Sequence, residues 1–209
     1  MLTVFPCRLC FLTDFSGGEE RLRAVLAAGV PWIQYRDKTS PRRILYERAV
    51  QIRAITRLFG VYFVMNDHAD IAAAVDADGV HLGQDDLPIA AARKLVGRRI
   101  VGISTHSVAE AEAAAASGAD YIGFGPIFAT ATKDAGAPKG VAAIRDVRDA
   151  VAIPVIAIGG ISAERCPDLL AAGASGVAVA SALAGSDPQE SVRHFLDALS
   201  MAGEGSPLA

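Results

Sequence analysis

The chain alternates, eight times over, between a short apolar run and a longer stretch with helical spacing, and this alternation is its tightest constraint on fold. The apolar runs are CRLCFLTD, WIQYRD, VYFVMND, GVHLG, RIVGIS, YIGFGP, IPVIAIGG and GVAVAS. Between them lie segments such as GEERLRAVLAAG, RRILYERAVQIRAITRLFG, VAEAEAAAASG, VAAIRDVRDAV, AERCPDLLAAG and ESVRHFLDALS, many of which stop at glycine, a common helix terminator. Strands joined through helices pair in parallel, and a run as continuously apolar as PVIAIGG suits a strand covered on both faces. Eight such units in 209 residues predict an α/β protein, a single-domain (β/α)8 TIM barrel over residues 1–209 with 201–209 a flexible tail. An open, doubly wound sheet is the alternative. It would usually place G-x-G-x-x-G after the first strand, and FLTDFSGGEE lacks that pattern.

Composition agrees and narrows the partners. The chain is 52% hydrophobic and 21% charged, which argues for a packed core and against disorder. A net charge of −3 gives no basic footprint for nucleic acid and no polybasic patch for an anionic membrane. No apolar run reaches the length of a membrane span, and MLTVFPCRLCFLTDF lacks the basic start and cleavage site of a secretion signal. Three cysteines, Cys7, Cys10 and Cys166, fit a reducing compartment, so a cytoplasmic location is expected. Cys7 and Cys10 sit three apart on the first expected strand, where they point to opposite faces and serve as ordinary buried thiols.

In such a barrel the C-terminal ends of the strands share one mouth, where barrel enzymes place their chemistry. The unusual polar residues fall there. Strand two ends in Gln34-Tyr35-Arg36-Asp37-Lys38, and alternation puts Gln34, Arg36 and Lys38 on one side. Strand three ends in Asn66-Asp67-His68, strand four in His81 to Asp86, and strand five in Ser104-Thr105-His106. Strand six runs through GFGPIFATATK, strand seven ends in Gly159-Gly160 and strand eight in Ala180-Ser181. Taken singly, each has a bland role. Asp67, Asp85, Asp86 or Ser104 could cap a helix, the glycine pair could be a tight turn, and His81 could be a hydrogen-bonded structural histidine.

Taken together they have the chemistry of a phosphorylated substrate and a metal. Magnesium is commonly held by one or two carboxylates while phosphates and waters complete its shell, which suits Asp67 and Asp86 on adjacent strand ends. Arg36, Lys38 and Lys133 are cations able to neutralise a diphosphate. Gly159-Gly160 and Ala180-Ser181, after strands seven and eight, suggest a second anion site built from backbone N–H groups. Two anion sites imply two phosphorylated small-molecule ligands. No serine–histidine–carboxylate set or H-E-x-x-H is visible, so covalent nucleophilic catalysis and zinc hydrolysis find no support. The oligomeric state is left open, and a homo-oligomer is compatible with the sequence.

The ordered set QYRDK, ND with the last Asp of HLGQDD nineteen residues on, GIS, GFGPIFATATK, IAIGGIS and GVAVAS resembles the thiamine phosphate synthase family over nearly the whole chain. The resemblance implies a (β/α)8 barrel that joins 4-amino-2-methyl-5-hydroxymethylpyrimidine diphosphate to 4-methyl-5-(2-phosphooxyethyl)thiazole, releasing pyrophosphate with Mg2+. Carried over by position, it implies that Gln34, Tyr35, Arg36, Asp37, Lys38, Asn66, Ser104 and Lys133 meet the pyrimidine diphosphate, with Arg36, Lys38, Ser104 and Lys133 catalytic. Asp67 and Asp86 would hold the metal, and Thr130, Thr132, Gly160, Ala180 and Ser181 would receive the thiazole phosphate. Ala180 departs from the larger aliphatic often found there. A related thiazole tautomerase shares the barrel but needs no diphosphate or metal site, and its pattern has a histidine where this chain has Pro126. A non-catalytic sensor of the same phosphates would need less than this full set of cations and carboxylates.

Overall fold

The computed structural model describes residues 8–130, 136–183, 185 and 187–201. Eight parallel strands pair in chain order and close into a barrel, β1 against β8. They are β1 (Leu9–Thr13), β2 (Trp32–Tyr35), β3 (Tyr62–Asn66), β4 (Gly79–Leu82), β5 (Ile100–Thr105), β6 (Tyr121–Phe124), β7 (Val155–Ile158) and β8 (Gly176–Val179). Each is followed by a helix: α1 (Gly18–Ala27), α2 (Arg42–Phe59), α3 (Ala69–Ala74), α4 (Ile89–Val96), α5 (Val108–Ala116), α6 (Ala142–Ala150), α7 (Cys166–Ala171) and α8 (Pro188–Met201). The predicted (β/α)8 architecture is therefore the observed one.

Alternation divides the apolar residues into two cores. One face of each strand supplies Phe11, Ile33, Phe63, Val80, Val101, Ile122, Val155 and Val177 to a layer shared with the helices. Helix α2 shows how a helix joins that layer: Leu45, Ala49, Ile52 and Ile55 recur at three- and four-residue steps and are buried. Each such aliphatic side chain contributes about 1.5–3 kcal/mol when fully removed from water. The other strand face fills the lumen with Cys10, Trp32, Val64, Tyr121, Ile156 and Ala178. Burial pushes the Cys10 thiol well above its ordinary value and, with the nearby Glu164 charge adding, the Cys166 thiol up to about 12. Both are inert packing residues, and Cys7 lies outside the described residues, as do 202–209 of the expected tail.

At the N-terminal end of the barrel a single device recurs three times. Asp78, Asp120 and Ser175 each donate a backbone N–H to a carbonyl of the preceding strand, Phe63, Val101 and Val155 respectively, at 2.8 Å. Each also returns a side-chain oxygen to the N–H of that same residue, at 2.8, 2.7 and 3.3 Å. Arg53 and Arg93 anchor the two aspartates as ion pairs. The strand entrances are thereby fixed, and the opposite rim is left to carry the site.

Candidate active site

The loop after β2 is built around Asp37. Its buried carboxylate accepts from the Thr39 and Ser40 backbone N–H groups and the Thr39 hydroxyl, all at 3.0 Å, and from Arg48 at 2.7 Å. Burial alone would raise this carboxyl, but the Ser40 and Thr39 hydrogen bonds outweigh it and hold Asp37 well below the usual carboxylate range. Tyr35 is fully buried among the helices, and burial is the main cause that pushes its phenol up to about 12. The expectation that Gln34 through Lys38 all face one ligand therefore needs correction at Tyr35. Strand alternation turns Tyr35 outward into the helix layer, while Gln34 and Arg36 line the barrel mouth and Asp37, tied to Arg48 on α2, stays beside Arg36 and Lys38. Asp37 shapes the turn that carries Arg36 and Lys38.

After β3 the chain turns sharply: Asp67 takes φ of +63°, a conformation uncommon outside glycine, with its N–H donating to the His81 carbonyl at 2.7 Å. His68 occupies the cap position of α3, so Asp67 is not that helix's cap. Its carboxylate instead pairs with the Lys38 ammonium. Asp86 folds back to accept from the Gly83 N–H at 2.6 Å. Burial and the neighbouring Asp67 carboxylate hold Asp86 above the ordinary aspartate range, against the Gly83 N–H and the Lys38 ammonium. Ser104 is no cap either, because α5 is capped by Ser107, whose side chain accepts from the Glu110 N–H while Glu110 accepts from the His106 N–H.

A cavity of about 140 Å³ opens at the strand ends, lined by Gln34, Arg36, Asn66, His81, Ser104, Thr130, Gly160, Ala180 and Ser181. A second one, about 540 Å³, lies beside it between the β1, β2 and β8 ends, sharing Arg36, Ala180 and Ser181 and adding Asp37 and Lys38. Thr132 and Lys133 lie outside the described residues.

The β6 and β7 exits are tied together. The Ile127 N–H donates to the Ile158 carbonyl at 2.9 Å, and the Phe128 N–H to Gly159 at 3.0 Å. Arg165 donates to the Gly160 carbonyl at 2.8 Å and lies 4.0 Å over the Phe128 ring. Gly160 has φ of +61°, and a Cβ there would stand 2.4 Å from the Ala129 carbonyl oxygen, so only glycine lets the two loops close on each other.

His81 and His106 also line the cavity. Sequence reasoning left His81 as a structural histidine and gave His106 no role, because facing the lumen depends on register with neighbouring strands. The signal available was the period-two pattern of GVHLG, which places His81 opposite Val80 and Leu82.

The chain is a (β/α)8 barrel protein with Arg36, Lys38, two adjoining carboxylates and a glycine-walled loop pair gathered at one mouth. Three comparisons specify it further. A family model described as thiamine monophosphate synthase matches residues 9–183, and the chain belongs to that family. Among its relatives, thiamine-phosphate synthase of Chloroflexus aurantiacus is 46% identical over 179 residues, 85% of this chain and 83% of that protein. The thiamine-phosphate synthase of Moorella thermoacetica is 48% identical over 178 residues, 83% of this chain and 85% of that protein. The solved thiamine phosphate pyrophosphorylase of Pyrococcus furiosus superposes with a TM-score of 0.86 at 35% identity, covering 94% of this chain and 96% of the other.

Proposed function

We propose that this chain is a thiamine phosphate synthase, a transferase that joins 4-amino-2-methyl-5-hydroxymethylpyrimidine diphosphate to 4-methyl-5-(2-phosphooxyethyl)thiazole. The observation that carries the reading is the pairing of Asp67 with Asp86 beside Lys38, next to a mouth that also holds a glycine-walled loop pair. Two sites of different character suit two phosphorylated substrates.

The carboxylate pair also suits a hard divalent cation. The Asp67 carboxylate raises the proton affinity of Asp86, a strain that a metal would relieve, and magnesium is commonly bound by one or two carboxylates with substrate phosphate completing its shell. Asp67 and Asp86 would hold Mg2+, which supplies Lewis-acid neutralisation of a diphosphate's negative charge.

The chain's own groups account for the rest. Arg36 and Lys38 face the region where the diphosphate would lie and stabilise charge as it accumulates there. The bond between the pyrimidine methylene and the diphosphate oxygen breaks with its electron pair leaving on pyrophosphate. The electron-rich pyrimidine delocalises the positive charge left behind, so no enzyme nucleophile is required. The thiazole nitrogen lone pair then forms the new C–N bond, and no proton moves in that exchange. Gln34, Asn66 and Ser104 line the cavity and would hold the ring in line with the incoming nitrogen. Backbone N–H groups at Gly160 and at Ala180-Ser181, with the Thr130 and Thr132 hydroxyls, would receive the thiazole phosphate. Lys133 is a further cation for the diphosphate.

Purified protein with Mg2+ and both substrates should release pyrophosphate, and neither substrate alone should do so. Isomerisation of the thiazole without pyrophosphate would favour the tautomerase reading instead. Binding without turnover would favour a sensor.

A further inference from the structure

Below the cavity, His81 on β4, Gly102 on β5 and Tyr121 on β6 are lateral partners across three adjacent strands. The middle position is empty of side chain. A Cβ at Gly102 would lie 2.1 Å from Tyr121 Cζ, so the phenol ring fills the space that any other residue at 102 would take. Two residues further along β5, Ser104 is the partner of Gly123, where a Cβ would crowd His81 Cε1 at 3.2 Å. Two glycines thus clear a path along which a phenol and an imidazole approach one another. The Tyr121 hydroxyl lies 2.9 Å from His81 Nδ1, and His81 Nε2 lies 3.0 Å from Ser104 Oγ. Trp32 packs edge-on to the Tyr121 ring at 5.5 Å between centroids. Tyr121 is buried and lies outside the cavity wall, whereas His81 and Ser104 form part of it.

We propose that Tyr121 is a positioning residue for the transfer reaction, acting through His81 to turn the Ser104 hydroxyl proton toward the pyrimidine diphosphate. The inference rests on the function proposed above. A neutral imidazole offers one donor and one acceptor. When the Tyr121 hydroxyl donates to Nδ1, the ring proton sits on Nε2 and is donated to Ser104 Oγ. That leaves the serine's own O–H to be donated into the cavity. The opposite order spends the serine proton on Nε2 and offers only lone pairs to a diphosphate oxygen, which is itself purely an acceptor. The ligand's chemistry therefore selects the first order. No covalent bond changes in the relay, which sets only the direction of one hydrogen bond at the cavity.

The test combines Tyr121→Phe, Ser104→Ala and the double variant, with kcat and KM taken from pyrophosphate release, and nitrogen-15 NMR of the His81 ring in the full chain. Tyr121→Phe keeps the ring and its packing on Trp32, so its melting temperature should stay close to that of the parent. Its kcat/KM should fall about tenfold, the scale of losing an outer-shell orienting hydrogen bond. In the Ser104→Ala background the same change should cost less than about twofold, since a relay without its terminus has nothing to orient. With pyrophosphate and Mg2+ bound, the ring should be protonated at Nε2 in the parent protein and become a tautomer mixture in Tyr121→Phe. Equal losses in both backgrounds, or an Nδ1-protonated ring in the parent's pyrophosphate complex, would overturn the relay while leaving the transferase reading intact. A parent protein that releases no pyrophosphate would sink the transferase reading instead, and the ring tautomer would still decide the relay's direction.

Discussion

Asp86 shows at the scale of one residue how the rim is tuned. Burial and the adjoining Asp67 carboxylate raise it above the ordinary aspartate range, so its charge at neutral pH works against the empty fold. Asp86→Asn keeps an oxygen for the Gly83 N–H and removes that repulsion. The melting temperature measured without metal should therefore hold or rise, while kcat/KM falls on the order of a hundredfold or more. Retention of near-parental magnesium-dependent turnover would remove Asp86 from the proposed metal site. Asp37 has the opposite sign. Its folded value lies below its unfolded one, so its stabilisation is complete above about pH 4 and fades as pH falls below that. Asp37→Asn should flatten the acid limb of the stability curve, followed by urea unfolding at stepped pH. Superimposable acid limbs would mean that the carboxylate stabilises nothing. The period-two rule assigned Arg36 and Lys38 to one side from sequence. The same rule turns Tyr35 away, a consequence masked when QYRDK is carried over as one block.

At the scale of elements, the strands were legible because each is covered on two faces and reads as an apolar run. Their ends were not. WIQYRD yields a strand only to Tyr35 and YIGFGP only to Phe124, although the Arg36 N–H still donates to Thr13 and the Gly125 N–H to Thr105; beyond them Asp37 gathers the Thr39 and Ser40 N–H groups and Pro126 has no N–H to give. The Asp78, Asp120 and Ser175 clamps were likewise invisible, because a residue before a strand reads as ordinary loop until its partner strand is known. Asp120→Ala strips the buried Val101 N–H of its acceptor. It should cost about 1–3 kcal/mol in denaturant unfolding with kcat unchanged. A loss of kcat at full stability would show that the two ends of the barrel are coupled. At the opposite rim, Gly160→Ala would force a left-handed backbone and a clash with Ala129. Thiazole phosphate binding by calorimetry should weaken on the order of tenfold, with pyrophosphate binding preserved. Equal weakening of both ligands would contradict separate loops for each.

For the whole molecule, the barrel, the family and the outline of the mouth could be read from the order of motifs along the chain. What fills the lumen could not. The meeting of His81, Tyr121 and Ser104 depends on the lateral register of three strands and on glycines at 102 and 123, and a sequence shows neither which residues are level nor which gaps are filled. The central claim is that one barrel mouth holds two distinct anion sites, of which only one depends on the carboxylate pair. Calorimetry with pyrophosphate plus Mg2+, and then with thiazole phosphate added to that complex, tests it most directly. Both ligands should bind together at one of each per chain, and Asp86→Asn should weaken pyrophosphate while sparing thiazole phosphate. Mutual displacement of the two ligands, or equal weakening by that substitution, would contradict the account.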